Sequence, residues 1–232
     1  MSIIHFIGGE KGGVGKSVVA RLVAQRCIDR SLPFVAFDAD MSHGALLRHY
    51  GAYARAIDLA RFEGADEIMA AATEAPQRVV VDLPAQSERF LSDWIKDAGI
   101  LEMAQECGVS VVFWHVLDDG KDSVTTLERV LSSYGAGARF VVVKNHGRGR
   151  NFSIFDQSAV RQKAEAGGAV ILDLPALYPP VMQKIDERDA SFWAAAHNPT
   201  FAPETFGRMD RQRLKIWLRS AGEQLDRLGD AF

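Results

Sequence analysis

Near the start of the chain, two lysines and a serine are interleaved with glycines in the stretch Gly9-Glu10-Lys11-Gly12-Gly13-Val14-Gly15-Lys16-Ser17. Glycines let the backbone curl so that successive N–H groups point inward, and a following helix adds partial positive charge where an anion can sit. Lys16 would then bring an ammonium to the β and γ phosphates of a nucleotide, and the Ser17 hydroxyl would be a ligand for Mg²⁺. The context supports this chemistry. An apolar run (Ile3, Ile4, Phe6, Ile7) precedes the loop and Val18-Val19-Ala20-Arg21-Leu22-Val23-Ala24 follows it, which reads as strand, turn and helix. Residues 12 to 18 (Gly12, Gly13, Val14, Gly15, Lys16, Ser17, Val18) are the candidate nucleotide cradle. The strict pattern G-x-x-x-x-G-K-[ST] is not met, because its first glycine falls on Glu10.

Further chemistry-bearing residues stand where apolar runs end. Phe34-Val35-Ala36-Phe37 runs into Asp38-Ala39-Asp40, and Val79-Val80-Val81 closes on Asp82. A carboxylate in such a place can hold a metal-bound water or orient a nucleophile, so Asp40 and Asp82 are candidate metal-site residues. An aspartate in a turn can equally bond its own backbone. Asn145 ends Val142-Val143-Lys144; its amide can both donate to and accept from an adenine edge, or can cap a turn. A guanine-reading N-K-x-D is absent, which favours ATP. No Ser/His/Asp triad or Cys/His pair has usable spacing, and His115 reads as core.

These residues need elements to hold them. Helical patterns cover residues 16–29, 63–73, 87–106, 125–133 and 155–166, and apolar runs cover 34–37, 78–82, 110–116, 139–143 and 169–172. Continuous apolar strands alternating with helices mean a parallel sheet covered on both faces, with ligands at the carboxyl ends of the strands. The expected architecture is one three-layer α/β domain over residues 1–232. The 47% hydrophobic and 25% charged content is ordinary for a globular protein, and a net charge of −3 offers no global field for nucleic acid. Cys27 and Cys107 have no metal or disulfide spacing and read as isolated buried thiols. No apolar stretch reaches the roughly 18 residues of a membrane span, and a cytoplasmic location is expected.

A basic amphipathic helix is expected over about 204–229. Leu214, Trp217, Leu218, Ala221, Leu225 and Leu228 fall within a roughly 100° arc, and over residues 208–219 five cations (Arg208, Arg211, Arg213, Lys215, Arg219) stand against the single acid Asp210. Docking of the stripe on the domain is the default reading. A face that grips DNA backbone, or a membrane-surface helix, are the alternatives; Asp226 and Asp230 speak against the membrane.

The loop Lys-Gly-Gly-Val-Gly-Lys-Ser, with its second lysine Lys11, resembles that of the deviant Walker A ATPases of the ParA/MinD group, which have the P-loop NTPase fold with a mostly parallel sheet. The resemblance implies a nucleotide-sandwich homodimer in which Lys11 reaches the partner's phosphates. It makes Lys11, Lys16 and Asp40 catalytic, with Asp40 in switch I near the attacking water. It also implies that Asp82 stands beside the Mg²⁺ waters, that Asn145 contacts adenine, and that Leu174-Pro175-Ala176-Leu177 (Pro175 and Ala176 above all) brackets it. Two departures stand out. Met41-Ser42-His43-Gly44 replaces the usual switch I continuation, and Gln86 replaces a switch II glycine whose N–H meets the γ-phosphate. Short pieces (Arg211-Gln212-Arg213-Leu214-Lys215-Ile216, Glu223-Gln224-Leu225-Asp226 and Leu174 to Leu177) also look like TraL-type proteins of conjugative plasmids, ParA-like ATPases linked to DNA transfer.

The expected function is therefore slow hydrolysis of Mg·ATP as a switch for DNA partition, conjugative transfer or cargo positioning, with a stimulating partner protein. The alternatives are an ATP-dependent synthetase of the dethiobiotin-synthetase or cobyrinate-amidase type and a nucleotide-binding adaptor that does not hydrolyse.

Overall fold

The β-branched runs form one sheet, seven strands among the described residues. The computed structural model describes residues 1–232, the side chain of Ala136 excepted. In chain order the strands are β1 (Ile3–Gly8), β2 (Phe34–Asp38), β3 (Ala54–Ala56), β4 (Arg78–Asp82), β5 (Ser110–Leu117), β6 (Arg139–Asn145) and β7 (Val170–Leu174). They lie in the order β3-β2-β4-β1-β5-β6-β7, and every pairing is parallel. The apolar runs explain this: Ile3 and Ile7 of β1 enter one core while Ile4 and Phe6 enter the other, as a strand covered on both faces requires.

The helices are α1 (Lys16–Asp29), α2 (Ala45–Tyr50), α3 (Phe62–Glu74), α4 (Glu88–Asp97), α5 (Ile100–Glu106), α6 (Lys121–Tyr134), α7 (Ser153–Asp156), α8 (Ala159–Ala166), α9 (Pro179–Asp186), α10 (Phe192–His197) and α11 (Arg208–Asp226). One face of the sheet packs under α1, α2 and α9 to α11, and the other under α3 to α5. A third cluster joins α6, α7 and α8 to β5 and β6. The stripe of α11 docks as expected, with Leu214, Trp217, Ala221, Leu225 and then Leu228 all buried. Each buried leucine of that kind contributes about 2 kcal/mol of burial free energy.

Several expectations need correction. The helix expected over 87–106 is two helices, because Gly99 takes a φ of +59° and restarts the chain as α5. The helix expected over 155–166 is also two: Ser158 accepts from the Arg161 N–H and caps a new start for α8. The polar stretch after Asp40 holds α2 and β3, each too short for periodicity to register. The tail helix runs Arg208–Asp226 rather than 204–229, since residues 202–206 form a turn with Phe206 N–H donating to Ala202 O. Cys107 is exposed, capping the end of α5, and only Cys27 is buried.

Three histidines lie in this core. Burial, helped by Arg78, lowers the pKa of His5 to about 3; burial, helped by Arg21, lowers His49 to about 4; burial also lowers His115 to about 4. In the unfolded chain each titrates near 6.5. Their stabilising contribution is therefore complete above pH 6.5 and lost as pH falls toward 4, at about 1.4 kcal/mol per unit for each. Asp82, raised to about 7 by burial, acts in the opposite sense, and Asp38 and Glu88, also raised by burial, add to that offset. With three histidines lowered by this much, a net loss of stability is expected as pH falls below 6.5 in denaturant titrations of the nucleotide-free protein. Equal stability at pH 7 and pH 5 would contradict it.

Candidate nucleotide-binding site

Because all strands run the same way, their carboxyl ends open on one edge, and the central β1 delivers its loop to the middle of it. The loop after β1 starts α1, which has no side-chain cap, so its first amides are left for an external acceptor. Gly15 is the N-cap at φ +98°, and a Cβ there would come within 2.3 Å of Asn145 Nδ2. Only glycine fits. Lys16 is buried, and its Nζ donates to Lys11 O at 3.1 Å across the loop. Burial pushes the Lys16 pKa down, and Asp82, Glu10 and Asp40 pull it back up.

Asp82, at the end of β4, is 1% exposed, and neither carboxylate oxygen has a hydrogen-bond partner. Burial raises its pKa to about 7, opposed by the Ser17 hydroxyl, which lies near the carboxylate without making a well-formed hydrogen bond, and by Lys16, with Asp38 and Asp40 pushing it further up. A buried carboxylate without partners is costly unless a cation or bound water completes it. Among the described residues no group of three or more His, Cys, Asp or Glu side chains forms a metal cage. Mg²⁺ keeps waters and takes one or two protein oxygens alongside substrate phosphates. Ser17 and Asp82 fit such an ion.

Asp38 and Asp40 divide their work. Asp38 is buried and accepts the N–H groups of Asp40 and Leu47, fixing the segment between β2 and α2. Asp40 Oδ1 accepts from the N–H groups of Ser42 and His43, so it does form the turn that its sequence setting allowed. It also lines the loop cavity, with His43 Nδ1 3.4 Å from its Oδ2.

Lys11 is paired within its own chain: Nζ meets Asp118 Oδ2 at 2.5 Å, while the side chain stays 40% exposed. Ser123 and the Gly120 N–H hold the other oxygen, Asp118 Oδ1. Asn145 is buried, donates Nδ2–H to Val14 O at 2.8 Å and accepts the Gly147 N–H on Oδ1. It braces the loop after β1, a role the sequence did not reveal. Pro175 lines the cavity next to it and accepts the Trp217 indole N–H at 2.7 Å; Ala176 is exposed and outside the lining.

Two cavities of about 520 Å³ each meet here. The first lies over the loop and includes Gly12, Gly13, Lys16, Ser17, Asp40 and Pro84. The second includes Asn145, Leu174, Pro175, Leu177 and Trp217. Val18, Arg148 and Asp186 line both. Arg148 stands in a loop where cations alternate with glycines (Lys144-Asn145-His146-Gly147-Arg148-Gly149-Arg150), whereas Asp186 carries no signal in the sequence.

Over 90% of this chain and 94% of the other, the structure resembles a nucleotide-binding protein from Archaeoglobus fulgidus in complex with ADP (TM-score 0.58, 14% identity). It also resembles the MinD cell division protein of Aquifex aeolicus (TM-score 0.52, 13% identity, 93% and 97% covered). The chain shares the fold of these two proteins, a parallel sheet flanked by helices on both faces. In sequence it is 27% identical to Protein TraL of Escherichia coli over 237 residues, 97% of this chain and 98% of TraL. No family model matches.

The departures from the ParA/MinD pattern have a structural form. Gln86 takes the left-handed φ of +61° that a glycine would favour, at a cost of about 1 kcal/mol, and its N–H is turned onto Glu10 O at 3.3 Å. Glu10, where the strict motif has glycine, also accepts the Glu88 N–H on Oε1. The substituted residues of loop and switch II are thus bonded to each other. The cationic face of α11 is smaller than expected. Arg211 donates to the carbonyls of Ala195, Asn198 and Phe201 and belongs to the fold, while Arg208, Arg213, Lys215 and Arg219 are exposed. Arg213 stacks on Tyr178 and pairs with Asp210. Among the described residues no helix is long and apolar enough to cross a membrane.

Proposed function

We propose that this chain binds Mg·ATP, dimerises face to face around it and hydrolyses it slowly, the nucleotide state serving as a switch. The observation that carries the reading is the orphaned, buried carboxylate of Asp82 beside Lys16 and Ser17 on a two-lysine phosphate loop. The loop amides and Lys16 hold the triphosphate; Ser17 and Asp82 would hold Mg²⁺, which would supply positive charge at the phosphates. Asp40 orients the attacking water. Lys11 supplies positive charge in trans, once it has left Asp118, where charge develops between the phosphates. Adenine occupies the cavity lined by Pro175, Leu177 and Asn145. The Gln86 N–H bonded to Glu10 gives a reason for slowness, since that amide is not presented to the γ-phosphate.

The output follows from likeness to TraL and from the exposed cations of α11: the ATP state sets affinity for DNA or for a protein of conjugative transfer. Mass in solution tests the reading first. Light scattering with Mg·ATP is expected to give twice the mass found with Mg·ADP. A mass independent of nucleotide would sink the sandwich switch and favour an ATP-dependent synthetase or an adaptor.

A further inference from the structure

The two cavities of the site are joined through three residues, and one of these is a carboxylate. Asp186, the last residue of α9, lines both the phosphate cavity and the cavity beside Asn145 and Pro175. A carboxylate between an anion-binding loop and a base pocket is out of place electrostatically unless something neutralises it and something uses it. The neutralising group is Arg21, one helical turn beyond Ser17 on α1. Arg21 is 2% exposed, its Nη1 donates to Asp186 Oδ1 at 2.7 Å, and its guanidinium stacks on Phe192 at 4.5 Å. His49 Nε2 lies 3.8 Å from the same oxygen. The arginine is thus locked in the core, and it fixes the carboxylate while leaving the side chain of Asp186 48% exposed toward the cavities.

What a nucleotide places between its phosphates and its base is the ribose, whose vicinal 2′ and 3′ hydroxyls are uncharged donors. A carboxylate is acceptor-only and takes two such bonds. We infer that Asp186 accepts the ribose hydroxyls of the bound nucleotide, and that Arg21 acts as its positioning residue. The site would therefore select ribonucleotides over deoxyribonucleotides. This rests on the nucleotide reading above and extends it to a residue of α9, distant in sequence from the phosphate loop.

The test is direct binding of Mg·ATP, Mg·2′-deoxy-ATP and Mg·3′-deoxy-ATP to the full chain by calorimetry. Hydrogen bonds to a charged group predict about a tenfold or greater preference for ATP over a deoxy analogue. In Asp186→Ala the three nucleotides should bind alike, near the level of the weaker analogues in wild type. In Arg21→Met the preference should shrink, and Arg21→Lys should restore part of it; a role confined to stability would lower melting temperature in all Arg21 variants without changing the ratio. Equal binding of ATP and both deoxy analogues by wild type would overturn the inference while leaving the nucleotide site intact. So would an Asp186→Ala variant that keeps the preference. No binding of any nucleotide by folded wild type would overturn the underlying reading, and this one with it.

Discussion

Gly15→Ala is expected to weaken ATP binding by at least about a hundredfold while the sheet still folds. The new methyl would stand 2.3 Å from Asn145 Nδ2, and Asn145 is buried and held by Val14 O and the Gly147 N–H. It cannot swing aside without breaking both bonds, each worth about 1 kcal/mol. The φ of +98° adds about another 1 kcal/mol of strain for a residue with a side chain. The cheapest escape is for the loop backbone to move, and that backbone is the proposed phosphate cradle. Binding should therefore fall much further than stability. The double variant Gly15→Ala, Asn145→Ala relieves the clash but not the dihedral strain, and partial recovery of binding is expected. A Gly15→Ala protein that binds ATP like wild type would show that the loop does not hold the phosphates.

Lys11→Ala is expected to reduce turnover by about a thousandfold, in the range of a positive charge supplied in trans to phosphoryl transfer. Binding of ATP to the monomer should change by less than about threefold, because the bond to Lys16 uses the Lys11 carbonyl and survives truncation. Stability should also change little. The Lys11–Asp118 pair is partly exposed, and such pairs contribute about 0–1 kcal/mol. Loss of the ATP-dependent dimer together with retained ATP binding is the decisive combination, read by light scattering and calorimetry on one preparation. Unchanged turnover would remove Lys11 from the chemistry and leave it as a surface partner of Asp118.

Some of this site was legible before any coordinates, and the reason is local. The phosphate loop, Asp40 and Asp82 each sit where an apolar run ends, so strand patterning alone puts them on one edge of a parallel sheet. What was hidden depends on pairs distant in sequence. The bond from Asn145 to Val14 joins residues 131 apart, and that from Arg21 to Asp186 joins residues 165 apart. No periodicity marks either. Arg211 misled for the same reason: counted as one cation among five, it is bound by carbonyls of the preceding turn and helix, which composition cannot show. The breaks at Gly99 and Ser158 were missed because the helical pattern continues across them, and a single left-handed residue or cap decides the boundary.

The indole bond from Trp217 to Pro175 has a thermodynamic corollary. It makes the tail helix and the wall of the base pocket one mechanical piece, with the exposed cations of α11 on its outer side. A macromolecule held by those cations and a nucleotide held behind Pro175 are coupled through that piece if each favours a different position of it. If the first tightens the second by some factor, the second must tighten the first by the same factor, whichever arrives earlier. A wild-type titration of either ligand, with and without the other, measures that one number twice.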